Sequence, residues 1–288
     1  MSTSGDPDWR HFLQTEAKVH FVTFGEQRLR VIQVGSGAPL LLVHGFADSA
    51  YTWHRNLRPL AEAGFCAIAY DHPGCGESAL PPGFRFGVDD LANVARGLLD
   101  ALEIERAHLV GSSMGGGIGL QLALHHPDRL QRVVLVAPTC YHAPFRPWIF
   151  LARVAPLREL ARRLAGPWLA GPIVRSQYGD DALLTPQVLA QYRQSFARPE
   201  YLHAGAGLLR DYWNRSFYDT ARHYHEIEPA LRLIWGDRDV WVLTRHYALR
   251  LAADTGAELT VIRGGGHLVQ QNQPQRFNAA VIRFLRGH

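Results

Sequence analysis

Hydrophobic and polar positions change period several times along this chain, and the changes divide it into elements. Val19 to Phe24 and Leu29 to Val34 alternate apolar with polar residues around Gly25-Glu26-Gln27, which predicts a β-hairpin. Pro39-Leu40-Leu41-Leu42-Val43 is a continuous apolar run, the pattern of a strand buried on both faces. Helical spacing over Trp53 to Ala63 leads to a second buried run, Phe65 to Tyr70, and returns over Asp90 to Leu102. Then come His108-Leu109-Val110 as strand, Gly117 to Leu124 as helix, and Arg132 to Ala137 as strand. Such alternation implies an α/β architecture: a mostly parallel twisted sheet with helices on both faces.

The rhythm breaks near Pro138. From Thr139 to about Pro229 the chain is helix-like, rich in Trp, Tyr, Phe, Arg and Pro, and holds no convincing buried strand. The earlier pattern then resumes, with Leu231 to Trp235 as strand, Thr244 to Ala253 as helix, Glu258 to Ile262 as strand and Pro274 to Leu285 as a closing helix. The economical division is a core in two parts, residues 1–138 and 230–288, interrupted by a helical insertion over 139–229. No internal repeat or low-complexity tract is visible.

Composition narrows the function. The 288 residues are 47% hydrophobic, enough to bury one large core and carry an insertion. Net charge is only +4, and no Lys/Arg block marks nucleic-acid or polybasic membrane binding. Arg158, Arg162 and Arg163 cluster at helical spacing and read as a solvated face. The first residues lack the basic-then-apolar pattern of a signal peptide, and no segment is long and apolar enough to span a bilayer. The three cysteines, Cys66, Cys75 and Cys140, form no metal-ligand spacing, and their odd count argues against a disulfide framework. The expectation is a cytoplasmic globular protein without metal or organic cofactor. No nucleic-acid partner is expected, and a homodimer is left open.

The chemistry centres on Gly111-Ser112-Ser113-Met114-Gly115. This G-x-S-x-G lies between a predicted strand and a predicted helix, the setting of a nucleophile elbow. Ser113 holds the nucleophile position, and Ser112, second in the pentapeptide, points elsewhere. A serine hydroxyl needs a general base, usually a histidine held by a carboxylate. Loops at the carboxyl ends of parallel strands are where open α/β sheets place ligands. Two later strands end suitably, in Gly236-Asp237-Arg238-Asp239 and in Arg263-Gly264-Gly265-Gly266-His267. His267 is the base candidate, on a glycine-rich loop able to carry the imidazole over the sheet edge. Asp237 and Asp239 compete as its carboxylate. Charge developing on a substrate oxygen needs fixed N–H donors. Met114, which follows the nucleophile, supplies one, and Phe46 in His44-Gly45-Phe46-Ala47 is the natural second. His44 precedes the serine in chain order and reads as structural.

Five segments together resemble the α/β-hydrolase superfamily, in its cap-bearing branch. They are His44-Gly45-Phe46, Asp71-His72-Pro73-Gly74-Cys75-Gly76-Glu77-Ser78, Gly111 to Gly116, Gly236 to Asp239, and Gly266-His267, in family order from about residue 20 onward. The resemblance implies that the acid follows the glycine by three positions, which selects Asp239. It implies that the insertion is a cap between the sixth and seventh core strands, and that Asp71 to Ser78 is a structural turn with an inert Cys75. Relatives often carry Glu five residues beyond the histidine; Asn272 stands there and withdraws a local ion pair.

A serine nucleophile disfavours the alkyl-enzyme chemistry of the family's dehalogenases and epoxide hydrolases and favours acyl transfer. Phe145, Trp148, Ile149, Phe150, Trp168 and Tyr178 suggest an apolar acyl or aryl group, although such residues more often form the core of a cap, and none of them, nor Trp241, is assigned as a substrate contact. The resulting expectation is a carboxylic-ester hydrolase acting on small to medium apolar esters. One alternative is a carbon–carbon hydrolase of the meta-cleavage type, although the Gly-Pro-Gly loop frequent there is absent from Phe46-Ala47-Asp48-Ser49. Another is a ligand receptor that retained the fold.

Overall fold

A computed structural model describes residues 8–141, 154–180, 184–242 and 244–287. Its eight-stranded sheet runs β1 (Lys18–Phe24), β2 (Gln27–Val34), β4 (Phe65–Tyr70), β3 (Ala38–Val43), β5 (Ala107–Ser112), β6 (Leu130–Val136), β7 (Ala230–Gly236) and β8 (Glu258–Ile262). The hairpin β1–β2 and the β2–β4 pair are antiparallel, and every other pair is parallel.

Burial follows position in the sheet. Every residue of the central β4 and β5 is buried, whereas the edge strands β1 and β8 keep exposed positions. This is the physical origin of continuous apolar runs in the middle and broken ones at the edges.

The chain order places a switch point at β3. From there the chain goes to β4 on one side and β5 on the other, so loops leaving β3 and β5 part and open a crevice at the carboxyl ends of the strands.

Helices cover both faces. Helix α1 (Trp9–Thr15) is not legible in the periodicity; Asp8 caps it by accepting from the N–H groups of Arg10 and His11. The helix expected over 53–63 is split, with a 3-10 turn at Ala50–Trp53 before α2 (Leu57–Glu62). Helix α3 (Val88–Ala101) buries one face, and Asp89 and Asp90 in its first turn complement the helix dipole. Helix α4 (Met114–His125) is buried on every side from Met114 to Ala123. Between β6 and β7 the described residues form α5 (Ala155–Leu164), α6 (Ala170–Tyr178), α7 (Pro186–Phe196), α8 (Pro199–Asp211) and α9 (Arg215–Thr220), with no strand among them. The helix expected over 244–253 begins as a π-turn at Thr244–Ala248 and continues as α10 (Leu249–Thr255). A short α11 (Val269–Asn272) and the closing α12 (Pro274–Leu285) follow β8.

Candidate active site

Ser113 sits between β5 and α4 with φ 55° and ψ −116°. A non-glycine residue in that region carries backbone strain of about 1–3 kcal/mol. Its neighbours hold it there: Ser113 N–H donates to Val136 O at 2.8 Å, and Ser113 O accepts from Gly116, Gly117 and Thr139 N–H. Small residues allow the approach of strand and helix. A Cβ on Gly115 would lie 2.1 Å from the carbonyl oxygen of Val43, so only glycine fits.

The Ser113 side chain meets two others that arrive from distant parts of the chain. Ser113 Oγ lies 2.9 Å from His267 Nε2, and His267 Nδ1 lies 2.8 Å from Asp239 Oδ2. A carboxylate only accepts, so Nδ1 carries the proton and donates to Asp239. Nε2 of the neutral ring is then the acceptor for the serine hydroxyl. Asp239 and His267 are 5% and 3% exposed, and Ser113 is partly exposed. Backbone fixes the carboxylate: Trp241 N–H and Val242 N–H donate to Asp239 Oδ1 at 2.7 and 3.0 Å. Asp237, the competing residue, is exposed and instead accepts from Gly264 N–H at 2.6 Å, bracing the glycine loop.

The other expected parts converge on the same crevice. A Cβ on Gly45 would stand 3.1 Å from Ser113 Cβ and 3.7 Å from its Oγ, which brings the loop holding Phe46 against the serine. Met114 opens α4, where a backbone N–H has no acceptor within the helix. The Ser112 hydroxyl is buried and accepts from Gln270 Nε2 at 3.2 Å.

His44 is elsewhere in its chemistry. Its Nε2 accepts from His72 N–H at 3.0 Å, so its Nδ1 bears the hydrogen and donates to Gly45 O at 2.9 Å. Burial holds His44 down to about 4 and also holds His72 well below the usual imidazole range. The 71–78 turn is built on Asp71, which accepts from Ala50 N–H and Glu77 N–H and faces Arg30. Burial raises Asp71, and the Arg30 charge opposes it. Burial also raises the Cys75 thiol, with Asp71 and Asp48 adding to the effect.

Two features are not legible in the sequence. Trp241 stacks near His267, centroids 6.1 Å apart, and its Nε1–H donates to Ser176 Oγ on α6. Asp48, two residues past Phe46, joins a buried network with Tyr192 on α7 and Gln271 on α11. The one signal that could point to it is an acidic residue in an otherwise apolar loop.

The aromatic residues of the insertion divide. Phe145, Trp148, Ile149 and Phe150 lie outside the described residues. Trp168 is 66% exposed with its indole N–H turned back to Leu164 O, so it lines no buried pocket. Tyr178 is fully buried and donates to Gln271 Oε1 at 2.8 Å. Asn272, at the position of the missing glutamate, donates to Tyr178 O at 2.6 Å and so ties the histidine loop to α6. Among the described residues no group of three or more His, Cys, Asp or Glu side chains is placed to hold a metal ion, and no helix is long and apolar enough to cross a membrane.

Comparison with known proteins agrees with this architecture. The model of the alpha/beta hydrolase fold family matches residues 38–274. An uncharacterized protein of Mycobacterium tuberculosis is 32% identical over 262 residues, covering 87% of this chain and 76% of that protein. The 2-hydroxy-6-oxo-6-phenylhexa-2,4-dienoate hydrolase of Comamonas testosteroni is 30% identical over 268 residues, covering 88% and 90%. A hydrolase of Pseudomonas aeruginosa superposes with a TM-score of 0.78 at 28% identity, covering 94% of this chain and 99% of that one. The chain belongs to the α/β hydrolase fold family.

Proposed function

From membership of that family, we propose that the protein is a serine hydrolase that cleaves carboxylic esters of small to medium apolar substrates. The observation that carries the reading is the unbroken hydrogen-bonded line from Asp239 through His267 to Ser113 Oγ, at 2.8 and 2.9 Å. In this mechanism His267 Nε2 takes the proton of Ser113 as Oγ attacks the ester carbonyl carbon. The carbonyl oxygen becomes an oxyanion and is held by the N–H groups of Phe46 and Met114. The tetrahedral centre collapses, the alcohol leaves with the proton carried by His267, and an acyl-Ser113 ester remains. His267 then deprotonates water, which attacks the acyl carbon; as this second tetrahedral centre collapses, His267 returns the proton to Ser113 Oγ and the acid is freed. Asp239 keeps the imidazole in the required tautomer and stabilises the imidazolium formed at each step.

The chemistry uses side chains, backbone N–H groups and water, and needs no cofactor. We assign 139–229 as a cap between core parts 1–138 and 230–288, roofing an apolar acyl pocket in a cytoplasmic protein. The 30% identity to a 2-hydroxy-6-oxo-6-phenylhexa-2,4-dienoate hydrolase favours one second reading, carbon–carbon cleavage next to a carbonyl by the same three residues.

Steady-state hydrolysis of p-nitrophenyl esters of increasing acyl length, wild type beside Ser113→Ala, tests the proposal. The expected result is a clear chain-length optimum and loss of turnover in the variant. Inactivity of the wild type on every ester, with turnover of vinylogous diketones, would replace the first reading by the second.

A further inference from the structure

Asp48 has no part in the proton path, yet it is among the most elaborately held carboxylates in the molecule. It is 4% exposed and lies in the β3 loop, separated from Phe46 only by Ala47, whose φ is +57°. Its Oδ1 accepts from Ser49 N–H at 2.8 Å and from the Tyr192 hydroxyl at 2.9 Å. The Thr52 hydroxyl also bonds the carboxylate. The direction of that bond follows from its other partners. Thr52 Oγ1 accepts from Gln270 Nε2 at 3.0 Å and from Gln271 Nε2 at 2.8 Å, so its own hydrogen is the one given to Asp48. Gln271 Nε2 also donates to Tyr192 Oη at 2.7 Å, which leaves the tyrosine hydrogen for Asp48 too.

Every bond to Asp48 therefore reaches it as an acceptor. The donors come from separate pieces of the site: Ser49 and Thr52 from the core, Tyr192 from α7, and Gln271, behind Thr52 and Tyr192, from the segment after His267. A protonated Asp48 would place an O–H against this ring of donors, and one of them would have to turn away. Bonds to an ionised acceptor are also roughly twice as strong as those to a neutral one.

We propose that Asp48 is a positioning residue: its carboxylate pins the loop that carries Phe46 to Tyr192 of the inserted helices, and taking up a proton slackens that loop. The inference rests on the assignment of Phe46 as an oxyanion donor. The switch falls in an accessible range, because burial pushes Asp48 up to about 7. The titratable groups facing it are Asp71 and Cys75 from the 71–78 turn, Tyr192 from α7 and Tyr201 from α8. Asp71 raises it further by like charge, while the donors named above pull it down.

The test follows the rate at which a small fluorophosphonate labels Ser113, and kcat/KM on the best p-nitrophenyl ester, across pH in wild type, Asp48→Asn and Tyr192→Phe. The ratio of wild type to variant removes any pH effect common to all three proteins. Asp48→Asn should be roughly tenfold slower at about pH 8, where misplacement of an oxyanion donor is felt fully. The ratio should fall toward one at about pH 6, where wild-type Asp48 is itself neutral. Tyr192→Phe should show the same trend with smaller amplitude, and the double variant should be no slower than Asp48→Asn. If Asp48→Asn does not fold, the Tyr192→Phe ratio decides alone. A ratio that stays constant with pH would reduce Asp48 to a structural residue and overturn the inference while Ser113 still labels. Failure of the wild type to label at any pH would overturn the assignment of the site, and this inference with it.

Discussion

His44 after β3 and His267 after β8 both follow the carboxyl ends of parallel strands, and they differ in what meets the ring nitrogens. His44 is wholly buried, with backbone on both sides: it accepts from His72 N–H and donates to Gly45 O. Charging it would set a cation against a peptide donor with no carboxylate to compensate, and burial accordingly holds it down to about 4. His267 has a carboxylate behind Nδ1 and a hydroxyl in front of Nε2. A proton arriving at Nε2 creates an imidazolium with Asp239 beside it. The first arrangement braces a loop; the second can carry a proton. The difference lies in the partners.

The largest expected effect comes from removing the charge behind His267. Asp239→Asn keeps the shape of the side chain but no longer fixes the tautomer, and ester turnover should fall on the order of 10⁴-fold. Its thermal unfolding midpoint, measured in parallel, should move far less than the rate. A rate loss below about tenfold would show that His267 works without its carboxylate and would erase the contrast with His44.

A smaller effect sharpens the other side. The unfolded chain protonates His44 near its ordinary value of 6.5, while the folded chain resists down to about 4. The stability that neutral His44 contributes is therefore complete above 6.5 and is lost as pH falls toward 4. His44→Gln does not titrate, so between pH 7 and pH 5 the wild type should lose about 2 kcal/mol more stability than the variant. Urea unfolding at the two pH values measures the difference. Parallel losses in the two proteins would mean that the His44 ring is not held neutral.

The smallest effect separates two adjacent serines. The Ser112 hydroxyl accepts from Gln270 Nε2 at 3.2 Å, while it is the Ser113 hydroxyl that meets His267. Ser112→Ala should cost about 1 kcal/mol of stability and leave ester turnover nearly unchanged. Loss of turnover comparable to that of Ser113→Ala would reassign the nucleophile.

Much of this contrast is legible in the order of residues along the chain. The pentapeptide around Ser113, its place between strand and helix, and the glycine-rich approach to His267 are local patterns, and they name two of the three residues that meet. Residue spacing alone leaves Asp237 and Asp239 open. The structure separates them, because Asp237 turns outward to Gly264 N–H while Asp239 turns to His267. Asp48 and Tyr192 have no comparable signal, being 144 positions apart with a contact that depends on how α7 settles onto the β3 loop. Trp168 stands exposed while Tyr178 is buried, since aromatic character does not say which side of an inserted helix faces the core.

The sequence by itself determined the strand order of burial, the elbow and the loop that returns a histidine to it. Those features depend on period, on glycine at close approaches and on the order of short motifs, all properties of neighbouring residues. Asp239 was selected only through the family resemblance, and only the tertiary structure decided how Asp237 is turned away, which groups seal the His44 ring, and what anchors the loop holding Phe46. Those outcomes depend on distances between segments far apart in the chain, fixed jointly by sheet order and helix packing, and no local pattern encodes a distance of that kind.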